Sequence, residues 1–131
     1  MSPIKTLAVI TLTVVAFSAL AEAKWVDIYN SDDFTYYLDK ASIKKVGKNM
    51  RAWSLIDYKK PKKNGRFTAN SYVSLTEYDC ADEKSITLKQ TMYSGNMGNG
   101  DNSPIDLTGE KWDYITPSTI NESIFKAVCG K

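Results

Sequence analysis

The sequence contains no histidine. That absence removes the Ser-His-Asp and Cys-His arrangements of nucleophilic catalysis, together with every histidine-containing zinc site. Cysteine is scarce as well: only Cys80 and Cys129 are present, too far apart for a metal-ligand pair. Charge of one sign is missing, since 17 Lys and Arg face 15 Asp and Glu for a net charge of +2. General nucleic-acid binding normally shows a strong basic excess, so no nucleic-acid partner is expected. Neither the phosphate-binding glycine loop nor the dinucleotide fingerprint occurs. Gly95, Gly98 and Gly100 lie in a stretch with no lysine where a phosphate cradle needs one. No cofactor and no resident metal are expected. No internal repeat is visible, and nothing after Ala23 is apolar for long enough to span a bilayer.

What is present begins with an export signal. Lys5 supplies a positive start, Leu7 to Leu20 form an apolar core, and Ala19-Leu20-Ala21 and Ala21-Glu22-Ala23 are overlapping small-x-small sites. A signal peptidase reads that pattern. The apolar stretch is interrupted by Thr11 and Thr13 and falls short of the ~20 residues a transmembrane helix needs. No cysteine follows it, so no lipid attachment is expected. Residues 1–23 are read as a cleaved signal peptide, leaving Lys24 to Lys131 as one domain exported from the cytoplasm. In an oxidising compartment two cysteines without ligand spacing read as a disulfide. Closing the long loop between Cys80 and Cys129 would stabilise the fold by about 4 kcal/mol in the chain-entropy picture.

The body of the chain reads as strands. Trp25 to Tyr29 and Phe34 to Leu38 are rich in β-branched and aromatic residues. Asp39 to Gly47 reads as a turn-like link carrying Ile43 and Val46. Asn49 to Lys59 places Met50, Ala52, Ile56 and Tyr58 on one face, with Trp53 and Leu55 on the other. Lys59 to Arg66 (KKPKKNGR) is a break with Pro61 and Asn64-Gly65 as turn residues. Phe67 to Cys80 is a long strand, and Ser85 to Ser94 pairs with it, with Ile86, Leu88 and Met92 expected on one side. Gly95 to Gly109 is a Gly/Asn/Asp-rich loop of the kind that is either mobile or functional. Trp112 to Ile115 suggests a short edge strand.

The C-terminal segment carries a helix signal. Thr119 and Glu122 match the reciprocal capping box, in which hydroxyl and carboxylate each satisfy a free backbone N–H. Ile120, Ile124, Ala127 and Val128 share one helical face, and Gly130 is the stop. A helix of about 11 residues does not hold alone in water. The fold expected is α+β: an antiparallel sheet with one C-terminal helix laid on it and tied down by Cys129.

Few residues remain for chemistry. Glu77 and Asp79 lie two apart on one strand and share a face, the spacing a carboxylate-based hydrolase could use. A solvated strand end is the blander reading. Asp101 and Asp106 could bind calcium, but no ordered run of acidic ligands accompanies them. Lys59, Lys60, Lys62, Lys63 and Arg66 form the most polarised surface, able to meet an acidic partner or simply to solubilise a turn. Eight tyrosines and three tryptophans could build a binding face, although strand spacing points to sheet packing. Asn121-Glu122-Ser123 fits the glycosylation sequon but falls inside the helix.

The order of features then resembles a known family. A Trp25 strand is followed by Tyr36-Tyr37-Leu38-Asp39, Trp53-Ser54-Leu55-Ile56-Asp57-Tyr58, Ser74 to Glu77, Asp79-Cys80 and Tyr93-Ser94. Trp112, Ile115-Thr116-Pro117-Ser118 and Lys126-Ala127-Val128-Cys129 complete it. The chain is similar to the surface-adhesin protein E family of Gram-negative bacteria. The resemblance implies a roughly six-stranded antiparallel sheet whose C-terminal helix is tethered to the concave side by a disulfide. It also implies a periplasmic or cell-surface location, dimer formation, and binding of host extracellular-matrix or envelope proteins. Vitronectin, laminin and plasminogen are ligands of one member of that family, and no host-binding residue carries over. Three functions follow, each with a different structural demand. A non-enzymatic adhesin-like binding domain needs an open face. A hydrolase using Glu77 and Asp79 needs a cleft and a raised carboxyl pKa. An envelope inhibitor or stress protein needs Gly95 to Gly109 to protrude.

Overall fold

The computed structural model describes residue 11 and residues 23–130. The expected signal peptide lies outside the described residues except for Thr11 and Ala23. From Trp25 onward the chain forms strands β1 (Trp25–Asn30), β2 (Phe34–Asp39), β3 (Lys44–Val46), β4 (Asn49–Asn64), β5 (Phe67–Asp79), β6 (Lys84–Tyr93), β7 (Asn102–Pro104) and β8 (Asp113–Tyr114). One helix, α1 (Ile120–Cys129), closes it.

All pairings are antiparallel, in the order β1-β2-β4-β5-β6-β7. β3 pairs with Asn49 to Arg51 of β4, beyond the stretch that β2 occupies. β8 likewise takes Lys84 and Ser85 of β6, while β7 takes Thr91 to Tyr93. The eight strands therefore make a sheet six strands wide, built almost entirely from local hairpins. The link Asp39 to Gly47 is more ordered than its sequence suggests. Asp39 Oδ1 accepts from the Ala41 N–H at 3.1 Å to start a 3-10 turn, and β3 follows at once.

Two register shifts depart from simple alternation. Between Asp57–Ser71 and Lys62–Ala69, residues 58–61 of β4 face Asn70 alone. This bulge accommodates Pro61, which has no N–H to give a ladder. β4 consequently runs on to Asn64, and the expected break shrinks to a turn at Gly65 and Arg66. In β6 the shift leaves Leu88 unpaired, so Ile86 lies opposite Glu77 whereas Met92 lies opposite Tyr72. The two point to opposite faces, and the single-sided pattern expected for Ile86, Leu88 and Met92 does not form.

The helix begins where the capping residues place it. Thr119 Oγ1 accepts from the Glu122 N–H at 3.3 Å. The return arm of the box reaches one residue further back, Glu122 Oε1 accepting from the Ser118 N–H at 3.5 Å. Gly130 ends the helix at φ 69°, a left-handed conformation that glycine adopts without strain, and donates to the Lys126 carbonyl. Ile124, Phe125 and Val128 bury against Leu38, Ala52 and Tyr78 on the front face of the sheet. Each such side chain contributes roughly 1.5–3 kcal/mol. Cys129 is bonded to Cys80, with 5.7 Å between the Cα atoms. The bond fixes the helix C-terminus to the end of β5, as expected.

The back face is covered differently. Residues 95–100 fold flat over Leu55 and Val73, and Gly98 sits so close that a Cβ would lie 3.3 Å from Val73 Cγ2. Its φ of 71° adds a second reason for glycine. Asp57 Oδ1 accepts from the Met97 N–H at 2.8 Å and from Asn96 Nδ2 at 3.0 Å. Ser71, with no exposed surface, donates to the Gly95 carbonyl at 2.7 Å and accepts from the Gly98 N–H at 2.9 Å. The expected mobile or protruding loop is thus, in its first part, a strap. Its later part supplies β7.

Candidate functional site

Because α1 covers only the Cys80 end of the front face, the other end stays open. Its floor is aromatic. Tyr29, Phe34, Tyr58 and Tyr72 form a chain of tilted and edge-to-face contacts with centroids 5.5 to 6.1 Å apart. Lys62 Nζ stands 5.5 Å above the Tyr58 ring. These residues come from β1, β2, β4 and β5, which the hairpin order sets side by side. The strand spacing that pointed to sheet packing is therefore also the spacing of a platform with Tyr29 exposed and Phe34, Tyr58 and Tyr72 half-buried.

Three adjoining hollows follow the first turn of α1. One of about 320 Å³ lies between Phe34, Tyr36 and Ile56 and the helix residues Thr119, Ile120 and Asn121. A second, about 310 Å³, continues it past Tyr29 to Ser118, Glu122 and Ser123. A third, about 210 Å³, shares Tyr36, Ile56 and Asn121 and extends over Ser74, Thr87 and Gln90. Together they make a trough between helix and sheet. Tyr36 OH and Ser54 Oγ are 3.3 Å apart, and burial raises the Tyr36 phenol above its ordinary pKa. Burial does the same to Tyr78. Both rings stay uncharged through the physiological range.

The carboxylates proposed for catalysis are engaged elsewhere. Glu77 lies on the back face, its Oε1 accepting from Arg51 Nε at 2.6 Å and its Oε2 from Asn49 Nδ2 at 3.1 Å. The Arg51 hydrogen bond, helped by Asn49, holds its carboxyl below the usual range. Asp79 Oδ1 accepts from the Asp82 N–H at 3.0 Å, closing the β5–β6 turn, and Lys48 lies 3.8 Å from its Oδ2. These contacts, the turn N–H foremost, lower its pKa too. A general acid requires the opposite shift. Asp106 caps Thr108 through both its N–H and its hydroxyl. Among the described residues no group of three or more acidic or cysteine side chains converges to hold a metal ion.

The basic residues separate into two kinds. Lys59 clamps the β1–β2 turn, donating to Asn30 Oδ1 at 2.9 Å and to the Ser31 carbonyl. Lys60, Lys62, Lys63 and Arg66 are exposed on the β4–β5 ribbon, which continues past the last β2–β4 pair at Phe34 and Tyr58.

The profile of the surface-adhesin protein E family matches residues 25–130. The chain belongs to that family. As such it is an adhesin-like surface binding domain, and no helix among its described residues is long and apolar enough to cross a membrane. Solved relatives share its fold. A crystal structure of Haemophilus influenzae protein E, crystal form II, is 15% identical, with 83% of this chain and 89% of that one covered and a TM-score of 0.67. Another structure of the same protein gives 15% identity, 83% and 86% coverage and a TM-score of 0.65. No curated protein matches the sequence at a significant level. In this adhesin-family domain, residues such as Ser74, Thr87, Gln90 and Asn121 went unnoticed as site residues in the sequence. A polar side of β5 and β6 was the available signal, and it looked like an ordinary solvated face.

Proposed function

We propose that the domain is a non-enzymatic, exported binding module of a Gram-negative envelope or cell surface, recognising a protein or polymer through the open end of its front face. The single observation that carries this reading is the uncovered aromatic floor and trough beside the first turn of α1. Family membership supports it, as does the engagement of Glu77 and Asp79 in structural contacts. The ribbon residues Lys60, Lys62, Lys63 and Arg66, with Lys59 at its root, supply an electropositive flank for an acidic partner. Such a flank acts mostly on association rate and is sensitive to salt. A homodimer, the periplasm or outer surface as location, and host-matrix or envelope proteins as partners are part of the same proposal.

The test uses the oxidised mature protein, Lys24 to Lys131, immobilised against vitronectin, laminin, plasminogen and envelope extracts. Saturable capture that weakens about tenfold on combining Lys60→Glu, Lys63→Glu and Arg66→Glu is expected, an effect of about 1.4 kcal/mol. Inertness toward every component would overturn the reading.

A further inference from the structure

Some polar groups of the trough have nothing to do, unlike Tyr36, whose hydroxyl meets Ser54. Ser74, Ser85, Thr87 and Gln90 line the 210 Å³ hollow, with Asn121 at its rim. None of these five side chains makes a hydrogen bond within the described residues. Four of them are half-buried, so a second molecule settling there would remove their water, and leaving them unpaired would then be costly. The lining of this hollow includes no charged side chain. Next to it, Phe34, Tyr36 and Ile56 offer flat apolar surface at the foot of the helix.

We infer that this trough binds a neutral oligosaccharide. Hydroxyls and amides that both donate and accept match the mixed donor and acceptor pattern of sugar hydroxyls. The aromatic stretch suits the apolar C–H face of the next ring in the chain. Absence of charge in the hollow disfavours sulfated, sialylated or phosphorylated units, which would be desolvated without a cation. An extended peptide fits less well. Its backbone needs a ladder of N–H and carbonyl groups, which a sheet offers at an edge, whereas the trough crosses a face. The inference rests on the open front face being the binding surface, and it names the ligand class for that surface.

Titrating the isotope-labelled, oxidised mature domain with chitohexaose, cellohexaose and maltohexaose, followed by NMR, tests it. The expected result is saturable shifts at Ser74, Thr87, Gln90 and Asn121 with at least one of the three. Thr87→Val keeps the shape and removes one hydroxyl. It should weaken binding about three- to tenfold while leaving the rest of the spectrum unchanged. Silence of the trough toward all three sugars at millimolar concentration overturns the assignment. So does displacement of the response to the ribbon, or preference of the trough for an uncharged peptide over every sugar. If host or envelope proteins are still captured in those cases, only the saccharide assignment falls. If nothing is captured, the binding reading falls with it.

Discussion

The two faces of the sheet are finished in opposite ways. On the back, Arg51, Asp57, Ser71, Glu77 and the Asn49 amide nitrogen spend their hydrogen bonds inside the molecule, either on one another or on the strap over Leu55 and Val73, with Asn49 Oδ1 alone left buried without a partner among the described residues. On the front, apolar packing and one disulfide hold a helix over part of the surface, and Ser74, Ser85, Thr87 and Gln90 beyond it are left without side-chain partners among the described residues. A face closed by hydrogen bonds is committed to structure. A face closed by a tethered helix can leave its remaining area for a ligand. The difference separates the part of this domain that maintains the fold from the part available for recognition.

The largest way to break that comparison is to cut the tether. Replacing Cys80 and Cys129 by serine should lower unfolding free energy by about 4 kcal/mol, read from urea denaturation of oxidised wild type and variant. The ten residues of α1 are too few to persist alone, so hydrogen exchange should show the helix amides losing protection first. Met97 and Gly98, held through Asp57 and Ser71, should keep theirs. Simultaneous loss on both faces would show that they are not independently closed.

How much of this was legible from sequence follows the same division. The helix, its Thr119 cap, its Gly130 stop and the disulfide depend on local signals or on a pair of identical residues, and all are where the sequence put them. Most strands were legible for the same reason, since alternation is a short-range pattern. The strap was not. Its composition, all Gly and Asn but for Met97, is that of a free loop, and its anchors Asp57 and Ser71 lie about 40 and 27 residues away in sequence. Bulges were hidden as well. One extra residue at Leu88 inverts the facing of Ile86 relative to Met92 without changing the composition of the strand. The front trough escaped notice because a binding face and a solvated sheet have the same residue types. Only the presence or absence of hydrogen-bond partners tells them apart.

A pair of serines on β5 sharpens the contrast at a single position type. Ser71→Ala removes the donor to the Gly95 carbonyl and the acceptor for the Gly98 N–H from a site with no exposed surface. The expected loss is about 1–3 kcal/mol. Ser74→Ala, three residues along on the other face, removes a hydroxyl with no partner and should change stability by less than about 0.5 kcal/mol. Equal effects in thermal or chemical denaturation would mean that the front serine is structural after all, and the trough would lose its standing as a binding surface.

The smallest effect concerns acid. On the back face the Glu77 carboxyl is lowered from 4.5, chiefly by its hydrogen bond from Arg51 and secondarily by Asn49. In the unfolded chain it regains its ordinary value, so on acidification the unfolded state takes up its proton first. The contribution of Glu77 is therefore fully present above about pH 4.5 and is lost as pH falls through the lowered folded-state value. Solvent reaches a third of the Arg51 side chain, which keeps the contribution below about 1 kcal/mol. Comparing urea midpoints of wild type and Glu77→Gln between pH 3 and pH 7 isolates it. The variant should be weaker at neutral pH and should converge on wild type in acid. A residual acid slope belongs to Asp79 and Asp106, whose carboxyls are lowered by their own turn contacts. No carboxylate lines the 210 Å³ hollow on the front, so Ser74→Ala should track wild type at every pH. A gap between them that opened only in acid would place a titrating group at that hollow and contradict its neutral character.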